Sequence, residues 1–459
     1  ETCVEYRCNL GYVWGISLVA ALGGLMFGYD WVVISGAEPF YKQYFALTSA
    51  AEEGWAMGSA LIGCLLGAVL SGGLSDRFGR KRLLILSAIV FVVSSIGTGL
   101  AHNFVAFNAW RMAGGIAIGL ASNLSPMYIA EVAPAAVRGR LVSMNQFTIV
   151  IGILLAQVVN YAIAWLGGGG DQEAWNVASG WRWMFGVTAA PACLFFVLMF
   201  FVPESPRWLV KNGQSAAGRA VLARIGGDAF ADRELENIEA TLVGEIERVN
   251  FGDLLQPRTF AILTMGVTLA ILQQWCGINV IFYYAASLFR AAGFNLGDAL
   301  LNIVVIGAVN LVFTVLAVWS VDRVGRRVLM LLGFAGLTAT HLLIGASYHF
   351  EQGGLLLLVL TLAAIGCYAL TLAPVTWVVL SEIFPNRIRG AAMSVSVFSL
   401  WSACFILTFP FPMLRDGLGT ARTFWLYSAI CVVGFFFVLR RLPETKGKTL
   451  EQIERELTD

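Results

Sequence analysis

Long apolar runs, repeated along almost the whole chain, limit what this sequence can become. A helix needs about 20 mostly apolar residues to cross the hydrocarbon of a bilayer. Twelve stretches qualify, at roughly 11–36, 54–75, 82–101, 104–131, 141–166, 182–202, 259–290, 297–320, 328–350, 355–384, 389–414 and 421–441 of 459 residues. Composition agrees: 58% of residues are apolar and 13% are charged, against roughly 25% charged in soluble domains. A soluble globule has no place to hide that much apolar surface, whereas a bilayer removes the need. Strands of a membrane barrel would be about ten residues long with strict alternation, which these runs lack. The expected fold class is an all-α membrane protein with twelve transmembrane helices.

Several function classes drop out. The net charge of +1 gives no field that would gather nucleic acid. Six of eight cysteines (Cys64, Cys193, Cys276, Cys367, Cys404, Cys431) fall inside apolar runs, and Cys3 and Cys8 lie near the start. Buried there, they act as small apolar residues, and no spacing suggests a disulfide framework or a zinc site. The first run is too long for a signal-peptide core. No Gly-x-x-x-x-Gly-Lys-Ser/Thr loop is present to cradle ATP phosphates. His102, His341 and His349 read as lying at or near span ends, with no metal-ligand spacing. No cofactor, metal or enzymatic activity is expected.

Lys and Arg sort sharply by loop. Twenty-four lie on one face, five on the other (Lys42, Arg182, Arg290, Arg415, Arg422), and Arg111 lies within a span. The positive-inside rule places the basic face, with both termini and the 203–258 loop, in the cytoplasm.

The two halves echo each other. Asp76-Arg77-Phe78-Gly79-Arg80-Lys81 between spans 2 and 3 returns as Asp322-Arg323-Val324-Gly325-Arg326-Arg327 between spans 8 and 9. Glu131-x-x-Pro134-x-x-x-Arg138-Gly139 returns as Glu382-x-x-Pro385-x-x-x-Arg389-Gly390, and Pro203-Glu204-Ser205 as Pro443-Glu444-Thr445. The order is kept at nearly constant offset. The expected organisation is a six-helix bundle over 1–202, a linker with short amphipathic helices over 203–258, a second bundle over 259–441 and a tail over 442–459. Parallel repeats with a substrate site at their interface are a transporter architecture.

These motifs carry a resemblance. The Asp-Arg-x-Gly-Arg loops resemble the signature of the major facilitator superfamily. Pro203–Leu209, Pro443–Gly447 and Gln273-Gln274-Trp275-Cys276-Gly277-Ile278-Asn279 resemble its sugar-porter branch, and the likeness extends to bacterial proton–xylose symporters and, in framework, to facilitative glucose transporters. The resemblance implies a major-facilitator fold, alternating access and a small neutral sugar as cargo.

Ionisable residues inside a membrane are expensive and mark function. Asp30 lies about six residues, ~9 Å, below one end of span 1, and Arg111 about seven residues, ~10 Å, below the same face on span 4. The matched depths predict a pair. A neighbouring cation favours the charged carboxylate and burial favours the neutral acid, so a carboxyl balanced between them can take and release a proton. Asp30 is the expected proton-coupling acid and Arg111 its partner, roles that the resemblance also implies.

A sugar hydroxyl both donates and accepts hydrogen bonds, and so does an amide, without charge. A neutral sugar site should combine Gln and Asn with aromatic rings. Span 7 carries Gln273, Gln274, Asn279 and Tyr283, with Gly277 placed to break the helix where freed backbone groups line a cavity. Asn310 and Trp401 fall at similar depth, and Gln146 and Trp377 nearer the basic face. The resemblance carries sugar contact onto all of these and onto Phe27. At the basic face, Asp76, Arg80, Glu131, Arg140, Glu204, Asp322, Arg326, Glu382, Arg389 and Glu444 are expected to form a cytoplasmic gate of ion pairs between the halves. The expected function is proton-coupled monosaccharide symport in the cell (inner) membrane by a single chain embedded in lipid, with a facilitative uniporter or a transporter-like sensor as alternatives.

Overall fold

The computed structural model describes residues 8–168, 173–244, 256–384 and 388–446. Among these residues no strand occurs, and twelve helices are long and apolar enough to cross a membrane. In the first half they are α1 (Leu10–Tyr44), α2 (Ala50–Phe78), α3 (Arg80–Gly99), α4 (Phe104–Val132), α5 (Ala135–Leu166) and α6 (Asn176–Met199). Three short helices follow, α7 (Pro206–Lys211), α8 (Ser215–Gly226) and α9 (Asp228–Gly244). The seventh span is built from α10 (Pro257–Trp275), α11 (Ile278–Tyr283) and α12 (Ala285–Ala291). Then come α13 (Leu296–Val324), α14 (Arg326–His349), α15 (Leu355–Leu370) with α16 (Leu372–Ile383), α17 (Arg389–Thr408) with α18 (Phe411–Leu418), and α19 (Thr420–Arg441).

The helices fall where the apolar runs predict them. The largest difference is at α1, which continues to Tyr44 although the apolar run ends near residue 36. A helix satisfies its backbone internally, so it need not stop where lipid stops. The extension carries Glu38 and Lys42. Side chains on the lipid side stay apolar and uncovered: Val105 and Phe201 are each 79% exposed.

The chain forms two compact units. One comprises Glu1–Trp31, Gly63–Ile153 and Phe185–Arg248, the other Val32–Ile62, Leu154–Met184 and Val249–Asp459. In the first, α2 and α4 approach through small residues. A methyl group on Gly63 would strike the Met112 carbonyl, one on Gly67 the Ile116 carbonyl, and one on Gly119 the Cys64 carbonyl. Lipid offers no hydrophobic drive for helices to associate, so this backbone proximity and the dispersion contacts it allows supply much of the cohesion. Also in this unit, α8 and α9 lie side by side, tied by Arg219. Its Nε donates to Asp232 at 2.6 Å and its Nη1 lies 3.1 Å from Asp228. The hydrogen bond from Arg219 holds the Asp232 carboxyl below its ordinary range.

Candidate functional site

Asp30 and Arg111 meet inside the first unit. Arg111 Nη1 lies 3.1 Å from Asp30 Oδ1 and 3.0 Å from Oδ2. Both Nη atoms also donate to the Asp30 carbonyl, at 3.4 and 3.3 Å. The two residues are 4% and 2% exposed. The Phe185 ring lies 5.3 Å below the guanidinium carbon. Gly114 lies beside the pair: a methyl there would be in ordinary contact with Asp30 Oδ2, at 3.5 Å. An enclosed guanidinium needs an anion, because removing one partner of a buried pair leaves an uncompensated charge. Within this enclosure each member of the pair balances the charge of the other.

The second unit holds a relay of amides at a helix break. Gly277 has φ of +85°, a left-handed conformation that costs glycine nothing. It separates α10 from α11, and a methyl there would sit 2.7 Å from the Tyr427 ring. On the α10 side, Gln273 Nε2 donates to Tyr368 Oη at 2.6 Å, and Gln274 Nε2 donates to Gln273 Oε1 at 2.8 Å. Across the break, Asn279 Nδ2 donates to Gln274 Oε1 and lies 3.5 Å from Cys404 Sγ. Gln273, Gln274 and Asn279 are at most 7% exposed. Breaking a helix frees backbone carbonyls. That of Cys276 is taken by His341 Nε2 at 2.7 Å and by Cys431 Sγ at 3.6 Å. The result is a polar, uncharged cluster inside an apolar bundle, able to donate and accept hydrogen bonds without imposing a charge.

The other expected contact residues distribute over both units. Tyr283 on α11, Asn310 on α13 and Trp401 on α17 are buried, at 2%, 5% and 5% exposure, whereas Trp377 on α16 is 38% exposed. Phe27 and Gln146 are half-buried in the first unit, with Phe27 edge-on to Trp31 at 6.4 Å.

At the basic face the repeated motifs interlock, once in each unit. Gly79 has φ of +92° and Gly325 of +107°. Each turns the chain sharply so that the next helix begins at once, exposing its first N–H groups. Glu204 accepts from Arg80 N at 3.0 Å and Lys81 N at 3.1 Å. Glu444 accepts from Arg326 N at 2.9 Å and Arg327 N at 3.1 Å. A carboxylate at a helix N-terminus satisfies orphan donors and meets the positive end of the dipole. A methyl on Gly79 would collide with Glu204, so two motifs distant in sequence explain each other. The arginines complete each knot. Arg80 reaches Glu131 at 2.9 Å and Asp76 at 3.4 Å. Arg326 reaches Glu382 at 3.1 Å, and Thr445 Oγ1 donates to Glu382 at 2.6 Å. Arg140 is exposed and enters none of these pairs. The side chains of Asp322 and Arg389 lie outside the described residues. The pairs named here each lie within one unit. In each unit a turn glycine and a new helix start meet a nearby anion, Glu204 in one and Glu444 in the other.

Three residues of this architecture escaped the sequence reading. Tyr368 holds Gln273, and Tyr427 packs on Gly277. His341, expected near a span end, is fully buried in α14. Its partner is a carbonyl freed 65 residues away, so no local pattern announces its role.

Residues 16–457 match the family model described as "Sugar (and other) transporter". The chain is 39% identical over 449 residues to the arabinose-proton symporter of Bacillus subtilis, covering 97% of this chain and 95% of that one. It is 38% identical over 477 residues to the D-xylose-proton symporter of Escherichia coli, covering 97% and 96%. Among solved structures it resembles the partially occluded inward-open xylose transporter XylE from E. coli, with a TM-score of 0.85 and 37% identity, covering 96% of this chain and 100% of that one.

Proposed function

Because this chain belongs to the sugar transporter family, we propose that it is a proton-coupled symporter of a small neutral monosaccharide, working by alternating access. The observation that carries the coupling is the Asp30–Arg111 pair. An acid enclosed beside one guanidinium, in a helix that crosses the membrane, can hold or lose its proton as the helices around it move. The charge of the basic loops supports a reading in which both termini are cytoplasmic and the protein lies in an inner membrane. Partners are the sugar, the proton and the surrounding lipid, and a single chain suffices.

In this reading Gln273, Gln274 and Asn279 exchange hydrogen bonds with the sugar hydroxyls, Asn310 and Gln146 add to them, and Phe27, Tyr283, Trp377 and Trp401 cover the weakly apolar C–H faces. The selective step is paid in amide hydrogen bonds, since a site built to bond a hydroxyl strongly rejects an analogue lacking it.

The test uses purified protein in liposomes loaded with no sugar. With an inward proton gradient, labelled pentose or hexose accumulates above its external concentration; with an ionophore that collapses the gradient, it equilibrates only. Equal end points in both conditions would show a uniporter instead.

The knots at the basic face act in the conformational step. Glu382→Gln removes the charge that meets Arg326, in a partly exposed setting where such a pair is worth about 1 kcal/mol. Uptake is expected to slow about fivefold while the equilibrium dissociation constant for the sugar stays within about twofold. Unchanged uptake would remove Glu382 from the gate.

A further inference from the structure

A second charged cluster lies in the second unit, on the face opposite the basic loops, and the sequence reading gave it no role. It joins the ends of α1 and α2 to α18. Glu53, at the start of α2, is 3% exposed. Arg415 of α18 grips it with two bonds, Nη1 to Oε1 at 2.9 Å and Nη2 to Oε2 at 3.2 Å. Lys42 of α1 approaches the same carboxylate at 2.5 Å. Arg415 Nε also holds Asp416 at 2.8 Å. One turn before Lys42, Glu38 is 1% exposed and accepts from Ser287 Oγ of α12 at 2.5 Å. Its second oxygen has no hydrogen-bond partner among the described residues.

The backbone beside this cluster is built for close approach. A methyl on Gly54, next to Glu53, would strike the Phe409 carbonyl, and one on Gly58 would sit 2.9 Å from the Phe405 ring. Tyr284 Oη donates to the Thr408 carbonyl at 3.0 Å, and its ring lies 4.7 Å from Phe411. Both carboxylates therefore belong to helices of the first half of the sequence, and both are held by donors from the second half.

We propose that Glu53 with Arg415 and Lys42, together with Glu38 on Ser287, is an ionic latch that closes the extracellular side of the substrate path and must break for that side to open. The assignment rests on the orientation and transport function proposed above. Charge suits a reversible latch better than apolar packing does. A buried ion pair offsets much of its attraction by desolvation. When the latch opens, water returns to the carboxylates and the guanidinium and repays that cost. The closed and open states thus stay close in energy, as a cycle requires.

The test reads access from outside. In right-side-out membrane vesicles holding the full chain, a membrane-impermeant sulfonated thiol reagent is added, and its reaction with Cys404, which touches Asn279 and is 2% exposed, is followed by mass spectrometry. Arg415→Gln and Glu53→Gln are expected to speed labelling about tenfold, and Arg415→Lys, which keeps the charge, to stay within about twofold of the unaltered chain. Equal rates in all variants would overturn the proposal, and so would labelling as fast in Arg415→Lys as in Arg415→Gln, the pattern of a merely loosened fold. Saturable sugar binding by the unaltered chain is measured in parallel. Its absence would sink the transport reading and leave the labelling comparison intact.

Discussion

Replacing Asp30 with Asn is expected to abolish accumulation driven by a proton gradient while leaving sugar exchange across the membrane. Asn keeps the shape of Asp and can still accept a bond from Arg111, but it has no proton to carry. The scale is set by the gradient itself. One pH unit is worth about 1.4 kcal/mol per proton, so one coupled proton supports a concentration ratio of about ten. In Asp30→Asn that ratio should fall to one. The substitution also leaves the Arg111 guanidinium, 2% exposed, without its anion. Loss of a buried partner costs about 3–5 kcal/mol, enough to reduce the yield of folded protein. The double variant Asp30→Asn with Arg111→Gln removes both charges and should recover thermal stability without recovering accumulation. Accumulation that persists in either variant would show that the coupling acid lies elsewhere.

The second large effect is expected at Gln274. Its side chain is the middle link of the relay, donating to Gln273 and accepting from Asn279. Gln274→Ala removes one acceptor and one donor and leaves buried amide groups unpaired. Each unsatisfied buried group costs about 1–3 kcal/mol, so sugar affinity should fall about a hundredfold by calorimetry on purified protein. Gln274→Glu discriminates further. It keeps the acceptor for Asn279 and replaces the donor to Gln273 with an oxygen. If the relay orients the sugar contacts, Gln274→Glu should also bind weakly. Affinity within about twofold of the unaltered chain in both variants would place the sugar away from α10.

The sequence showed the spans through apolar length alone, because crossing lipid is a one-dimensional requirement. It also showed the pairing of Asp30 and Arg111, since matched depth from the same face is an argument about rise per residue and needs no tertiary detail. Gly277 was legible as a break because glycine stands between amides in an otherwise unbroken run. What escaped depends on contacts between distant segments. Glu204 and Glu444 also cap helices that start more than a hundred residues earlier, a role no local pattern announces. Lys42 and Arg415 read only as minority charges on the less basic face. Their shared partner Glu53 appears only once Arg415 of α18 is seen beside the start of α2. His341 was displaced by the same blindness: hydropathy sees a polar residue and moves it toward water, whereas a freed carbonyl can hold it in the core.

The caps at the basic face also bear on biosynthesis. The first turn of α3 must wait for Glu204, 124 residues downstream of Arg80, and that of α14 for Glu444, 118 residues beyond Arg326. While the ribosome is still at work, these leading amides are left to water, and each gains its carboxylate only when the sixth span of its half has been followed by the Pro-Glu pair. A translation product that stops after α19 but before Glu444 would therefore lack the cap on the first turn of α14.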